Sequence, residues 1–549
     1  MSGFLILLIV IVGLVFTQPV LAAPKKPGAH HRNLVTVDWL QKNLTNADLL
    51  ILDASPGQIY QQKHIAGAVN VSYFDYGTPY ATTAEMQKHF QNWGISADKK
   101  IILYDEGGTY FAPRLFFSLV YHGVPTENIF ILDGGLTKWQ ALGFAVTKDA
   151  ARAPTQGTFN IKQLDESVRI RLPEFITASG DLKNNVLLEA LTPDWHFGEI
   201  LSFGKRGHIP NAIMLPSEDF FNADKTFKSA AEIQQQLNYL GIKPEQQIHT
   251  HCGGGGAAAV PFFALKYMLN YPKVTLFIES QMGWLSDPRD LPFWTYDAPS
   301  NLRDANWLKS WNSTMLRMVG VSQISVLDVR PAEAYKDGHV PFAINVPAEV
   351  FKSNLANSSQ LAKTLGQAGV NIAHEAVIIS GAGLTKESAL AFVMLEQLGQ
   401  KRISVFMDSA DKWEKLGFVI TSEATAVGTK KHAFDTTIPP TNYPDAIRQQ
   451  VIITKSNGDK GVYAKIFIAA GKNPPNKMPD GKTLHVPYTE LLNADGTPKT
   501  AMEIWNVLVK AGVPRYAELI SYSDDPGEAA VNYFILKLMG FPDIKIQAG

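Results

Sequence analysis

The chain has 549 residues, 46% of them hydrophobic, a length that suggests three or four domains at about 150 residues each. Its 50 lysines and arginines nearly cancel 51 aspartates and glutamates, leaving a net charge of −1. With no block of like charge, nothing points to nucleic acid or an anionic membrane surface as a partner, and a single cysteine excludes an internal disulfide.

In chain order, Phe4 to Phe16 is an almost unbroken apolar run, followed by Thr17-Gln18-Pro19 and then Val20-Leu21-Ala22-Ala23. That is the pattern of a signal peptide over residues 1–23, cut after Ala22 or Ala23. The run is shorter than the roughly 20 apolar residues of a membrane span. No Lys or Arg precedes it, so an uncleaved anchor is the alternative. Export is expected, most simply to a periplasm, with no membrane span after cleavage.

The rest of the chain repeats itself. His64-Ile65-Ala66-Gly67-Ala68-Val69-Asn70 returns as His208-Ile209-Pro210-Asn211-Ala212-Ile213-Met214 and as His339-Val340-Pro341-Phe342-Ala343-Ile344-Asn345. The spacing, roughly 130–145 residues, suits whole domains. Each copy follows a buried-strand signature: Leu49 to Asp53, Val186 to Glu189, Val326 to Arg330. Each precedes a second apolar strand that ends in a loop, at Ile101 to Asp105, Gln247 to Cys252 and Ala376 to Ser380. About 33 residues beyond each loop stands a tryptophan: Trp139, Trp284, Trp413. A fainter fourth copy has strands at Lys465 to Ile468 and Glu518 to Asp524, with Leu484-His485-Val486-Pro487 in the place of the His-Ile-Pro segment. Short apolar strands alternating with helices predict α/β domains, each a parallel sheet flanked by helices on both faces. The predicted division is 1–23 signal, 32–150 first domain, 165–300 second, 305–425 third and 440–549 a degenerate fourth. The ligand site of such a sheet lies outside the carboxyl ends of its strands, where the Cys252 loop falls.

These segments resemble the rhodanese, or sulfurtransferase, family in the Asp-x-Arg strand end, the Gly-His-Ile-Pro segment, the loop after the second strand and the Asp-Gly-Gly-x-x-x-Trp segment. The resemblance covers most of the chain beyond residue 31. It implies tandem rhodanese-like domains in which the first, with Asp105 and Ala112-Pro113-Arg114, is an inactive half and the second, with Cys252, a catalytic half. The third and fourth, with Ser380 and Ser523 at the loop start, are extra inactive copies.

The residues support that chemistry directly. Thr250-His251-Cys252 runs into Gly253-Gly254-Gly255-Gly256-Ala257 and then an apolar helix from Val260 to Leu269. A thiolate accepts and releases sulfane sulfur by exchange. Consecutive glycines can turn backbone N–H groups inward as an anion nest, and a helix N-terminus favours the thiolate. Cys252 is therefore the expected nucleophile, and Gly253, Gly254, Gly255, Gly256 and Ala257 the expected cradle of a persulfide. The loop carries no Arg or Lys, and the strand end Glu189-Ala190-Leu191 lacks the family's arginine. Both departures count against thiosulfate and favour a polysulfide, a persulfide or a protein thiol as donor, unless Lys205, Arg206 or His251 compensates. The acceptor is a thiol or cyanide. No cofactor and no metal are expected: His249, His251 and Cys252 lack a fourth ligand. Ala258, where a phosphatase of this fold would carry its arginine, argues against phosphate chemistry. The recurrent histidines and tryptophans are expected to be structural. The rival reading is a non-catalytic exported binding or scaffold protein whose inactive domains hold a partner. An accessible Cys252 facing the first domain favours the enzyme, an occluded one the scaffold.

Overall fold

The computed structural model describes residues 32–76, 81–149, 154–432, 434–454, 462–474 and 479–548. The segment 1–23, expected to be a signal peptide, lies outside them.

Among the described residues, four five-stranded parallel sheets follow one another along the chain, all with the same strand order. In the first, the spatial order is Leu34–Val35, Ile129–Leu132, Lys100–Tyr104, Leu49–Asp53, Val69–Asn70. The second runs Arg169–Ile170, Val274–Phe277, Gln247–His251, Asn185–Glu189, Ala212–Met214. The third runs Leu302–Arg303, Arg402–Phe406, Glu375–Ile379, Ile324–Asp328, Ile344–Asn345. The fourth repeats this with Ile452–Ile453, Ile544–Gln547, Glu518–Tyr522, Lys465–Ala469, Lys482–His485. The central strands are apolar on both faces because helices cover both; every residue of Ile324–Asp328 and of Glu518–Tyr522 is buried.

The sheets associate in pairs. The helix after the loop strand is buried along almost its whole length in the first, third and fourth units, so neighbours cover it on nearly every side. Phe111–Tyr121 packs on Ala259–Phe263 of the second unit, with Phe116 against Phe263 (4.9 Å) and Phe117 against Phe262 (5.1 Å). Lys386–Gln397 packs in the same way on Pro526–Leu538, with Phe392 against Phe534 (5.0 Å) and the Tyr533 hydroxyl donating to Glu396 (2.8 Å). One apolar cluster therefore spans the first two units and another the last two, while each sheet keeps a smaller cluster on its outer face.

The recurrent residues sit in those outer clusters. Trp139, Trp284 and Trp413 are buried and donate their indole N–H to the carbonyls of Ala145, Pro292 and Val419. His64, His208 and His339 are buried, each with Nδ1 against a backbone carbonyl, of Tyr60, His196 and Tyr335 respectively. The predicted helix Val260 to Leu269 differs in its second half. Ala259–Phe263 is α-helical, but Ala264–Met268 widens to a π turn, Leu269 N–H reaching Ala264 O. Among the described residues no helix is long and apolar enough to cross a membrane.

Candidate functional site

The strand Gln247–His251 delivers Cys252 to the carboxyl edge of the second sheet. The loop then turns through Gly255 at φ +79°, and a Cβ there would sit 2.3 Å from the Ile278 carbonyl oxygen, so only glycine fits. The Gly255 N–H donates to Cys252 Sγ at 3.1 Å. Ser280, also at positive φ (51°) and buried, accepts the Cys252 N–H at 3.0 Å and holds its hydroxyl 3.9 Å from the sulfur. The N–H groups of Gln281 and Met282 tie down the carbonyls of Cys252 and Gly253.

The first unit closes the loop from above. The Tyr73 hydroxyl donates to the Gly254 carbonyl (3.3 Å). The Tyr110 ring lies where a Cβ on Gly256 would be, 2.7 Å from Tyr110 Cε2. A Cβ on Gly253 or Gly254 would meet open space. Of the predicted cradle, then, Gly255 contacts the sulfur, Gly256 passes under Tyr110, and Gly253 and Gly254 border the opening. Ala257 accepts the Val260 N–H and starts the helix. Cys252 faces the first unit but is 3% exposed, so the two signs set out to separate enzyme from scaffold are split.

None of the three side chains expected to supply a compensating cation does so. Lys205 is paired with Asp290, and Arg206 donates to the carbonyls of Gly198 and Glu199. His251 is fully buried on the face opposite Cys252, edge-on to Phe175 (5.3 Å), and burial holds its pKa down at about 4. His249 is engaged by Thr275 and Asn185. Arg114 of the first unit lies over the Tyr73 ring, its guanidinium 5.7 Å from the ring's centre, and donates to Ser118.

The other three loops hold no thiol. Asp105 folds its carboxylate back to accept from Gly107 N–H (2.7 Å), Ala112 N–H (2.9 Å) and the Thr109 hydroxyl (2.6 Å). Ser380 donates to Gly383 O, and Ser523 to Glu528.

The model of the rhodanese-like domain matches residues 36–142 and 312–416. Those two stretches are rhodanese-like domains. Among curated proteins, the "Sulfur carrier protein TtuD" of Thermus thermophilus is 27% identical over 272 residues, 47% of this chain and 94% of its own. The "Probable 3-mercaptopyruvate sulfurtransferase" of Pseudomonas aeruginosa is 29% identical over 278 residues, 47% of this chain and 96% of its own. Among solved structures, the 3-mercaptopyruvate sulfurtransferase-type protein SseA of Escherichia coli is 25% identical, covers 45% of this chain and 98% of its own, and has a TM-score of 0.41. Nearly a whole relative thus fits into less than half of this chain.

The strand end also departs from its sister units. In the third unit Arg330 pairs with Asp328. In the second, where that arginine is missing, the cation beside Glu189 is a histidine. His196 bonds Glu189 through Nδ1 and Asp297 through Nε2 (2.9 Å). Burial opposes a charged ring, but Asp297 and Glu189 together raise its pKa to about 10. Glu189, which burial alone would push up, is lowered to about 2 by His196. Gln281 completes the group, donating to Glu189 at 2.7 Å.

His196 takes the place held elsewhere by tyrosine. Tyr60 stacks on His64 at 3.8 Å and Tyr335 on His339 at 3.6 Å, whereas His196 stacks on His208 at 3.7 Å. His196, His208 and Asp297 bring metal-type donors within 4.8 Å of one another. The two rings are parallel to within 1°, so their in-plane lone pairs do not converge, and both nitrogens of His196 already meet carboxylates. The arrangement suits a buried imidazolium between two carboxylates.

Sequence reasoning missed Ser280, Tyr73, Tyr110 and the His196 group. One signal was present for Ser280: it stands four residues before Trp284, as Gly135 (φ +54°) stands before Trp139. His196 was hidden by the hairpin Leu201–Ser202 and Lys205–Arg206, which separates it from His208.

Proposed function

We propose that the protein is a sulfurtransferase in which Cys252 carries the sulfur as a persulfide. The observation that carries this reading is the Gly255 N–H directed at Cys252 Sγ in a glycine loop covered by the first unit. The names of the curated relatives, one a sulfur carrier protein and one a probable 3-mercaptopyruvate sulfurtransferase, support sulfur-transfer chemistry of this kind. In the forward step the Cys252 thiolate attacks the terminal sulfur of a donor R–S–S⁻. The donor S–S bond breaks, R–S⁻ leaves, and Cys252 holds S–S⁻ with its charge facing backbone N–H groups. An acceptor thiolate or cyanide then attacks the outer sulfur and Cys252 departs as thiolate.

The donor best suited is a polysulfide or an organic persulfide. The loop offers glycine, alanine and tyrosine side chains where a sulfonate would need a cation, and the Arg114 guanidinium is engaged by Ser118 and the Tyr73 ring. The reading extends to an exported, periplasmic protein, supported by the apolar run Phe4 to Phe16 ahead of Ala22-Ala23 and tested by N-terminal sequencing of the mature chain. Thiocyanate formation from cyanide tests the activity. Polysulfide supports turnover that Cys252→Ser abolishes, and thiosulfate supports at least about tenfold less. Equal turnover with thiosulfate overturns the donor assignment.

The 3% exposure of Cys252 favours the second reading, a binding protein whose inactive units hold a partner. Turnover that is absent on a thiol shown to be free would establish it.

A further inference from the structure

A cavity of about 360 Å³ lies between the second and fourth units, far larger than a single water requires and within the range of small-molecule sites. The fourth unit is held there by polar contacts on one side. Arg515 and the Tyr516 hydroxyl both engage Asp219, and the Tyr239 hydroxyl donates to Ala517 O (3.0 Å). On the other side Phe197 meets Trp505 at 5.3 Å. Gly540, at φ +79°, lets the fourth unit's backbone approach Asp297 so closely that a Cβ would lie 2.5 Å from its Oδ2.

The walls are mostly apolar, with Leu187, Ile213, Trp505 and Phe541 prominent. Among the lining residues Asp297 is the one carboxylate and Arg515 the one cation. Arg515 is neutralised by Asp219. Asp297 shares the single His196 imidazolium with Glu189, so that group keeps one negative charge in excess. Its side chain is 19% exposed. A carboxylate short of positive charge against apolar and aromatic walls is costly unless a partner arrives. The partner that fits is a cation carried on an apolar body, since aromatic faces attract ammonium groups as well.

We propose that this cavity is a binding site for a small organic ammonium compound, its charged group toward Asp297 and its aromatic or branched apolar body among Leu187, Ile213, Trp505 and Phe541. The site is separate from the Cys252 loop and does not depend on sulfur transfer.

Calorimetric titration of the full chain with 2-phenylethylammonium, 2-phenylethanol and 3-phenylpropionate tests it. The ammonium probe binds one per chain, the neutral probe about tenfold more weakly, and the anion not measurably. Asp297→Asn weakens the ammonium probe by about tenfold or more while leaving the neutral probe unchanged. Because Asp297 also holds His196, Met214→Trp is the second variant: it fills the cavity from the wall and abolishes binding of both probes. No heat with the ammonium probe on folded protein, an anion that binds as well, or binding unchanged in Met214→Trp overturns the proposal.

Discussion

The loops at Asp105 and Cys252 occupy the same place in neighbouring sheets, and both turn backbone N–H groups toward an acceptor. In the first unit that acceptor is the chain's own carboxylate, fixed by Gly107, Ala112 and Thr109. In the second it is a sulfur with one N–H on it and open space beside Gly253 and Gly254. One framework thus yields a filled anion nest and an unfilled one. The filled unit also contributes Tyr73 and Tyr110 to the other's loop. A unit without a nucleophile can therefore still shape the site.

The comparison breaks most sharply at Gly255. Gly255→Ala forces a Cβ onto the Ile278 carbonyl at a positive φ, displacing the N–H from the sulfur. Sulfur loading, followed by intact mass, falls about 100-fold, and an unchanged rate would show that the nest is incidental. Next in size is the strand end. His196→Tyr restores the tyrosine–histidine stack of the first and third units but leaves Glu189 and Asp297 without their cation. It costs about 3–5 kcal/mol in denaturant unfolding.

The pH dependence of that loss has a definite sign. His196 is raised to about 10, so the stability it lends is full below its unfolded value of 6.5 and disappears as pH rises toward 10. Glu189 is lowered to about 2, so its share is full above 4.5 and is lost as pH falls toward 2. The gap between wild type and His196→Tyr is therefore widest between pH 4.5 and 6.5 and narrows on both sides.

Smaller effects sharpen the contrast. Asp105→Ala leaves the N–H groups of Gly107 and Ala112 unpartnered and costs about 1–3 kcal/mol. It leaves sulfur loading of Cys252 within about twofold, whereas a large loss would make Asp105 part of the reacting site. Tyr73→Phe removes one hydrogen bond to Gly254, worth about 0.5–1.5 kcal/mol. Faster alkylation of Cys252 is the expected readout.

Much of the fold was legible because the pattern that specifies it is local and recurs. The His-Ile-Pro segments, the loop strands and Trp139, Trp284 and Trp413 mark the same positions in three sheets, and strands at Lys465 and Glu518 mark the fourth. The first and second domains were expected to face each other, but the pairing of the third with the fourth was not stated from sequence, although the long apolar stretches within Lys386–Gln397 and Pro526–Leu538 carry its signature. In the site, Cys252 and its glycines announce themselves by residue type. Ser280, Tyr73 and His196 do not. Ser280 is recruited by a positive φ, Tyr73 from another unit, and His196 by the absence at Leu191 of the arginine that the third unit carries as Arg330, a compensation visible only once Glu189, His196 and Asp297 lie together.

The central claim is that one loop of four carries sulfur. Intact mass of the full protein after polysulfide treatment, with cyanide reversal and a Cys252→Ala control, measures it directly. The account predicts a gain of one sulfur atom per chain, removed by cyanide and absent from the control. No gain on a thiol titrated as free, or a reversible gain that survives in Cys252→Ala, would contradict it.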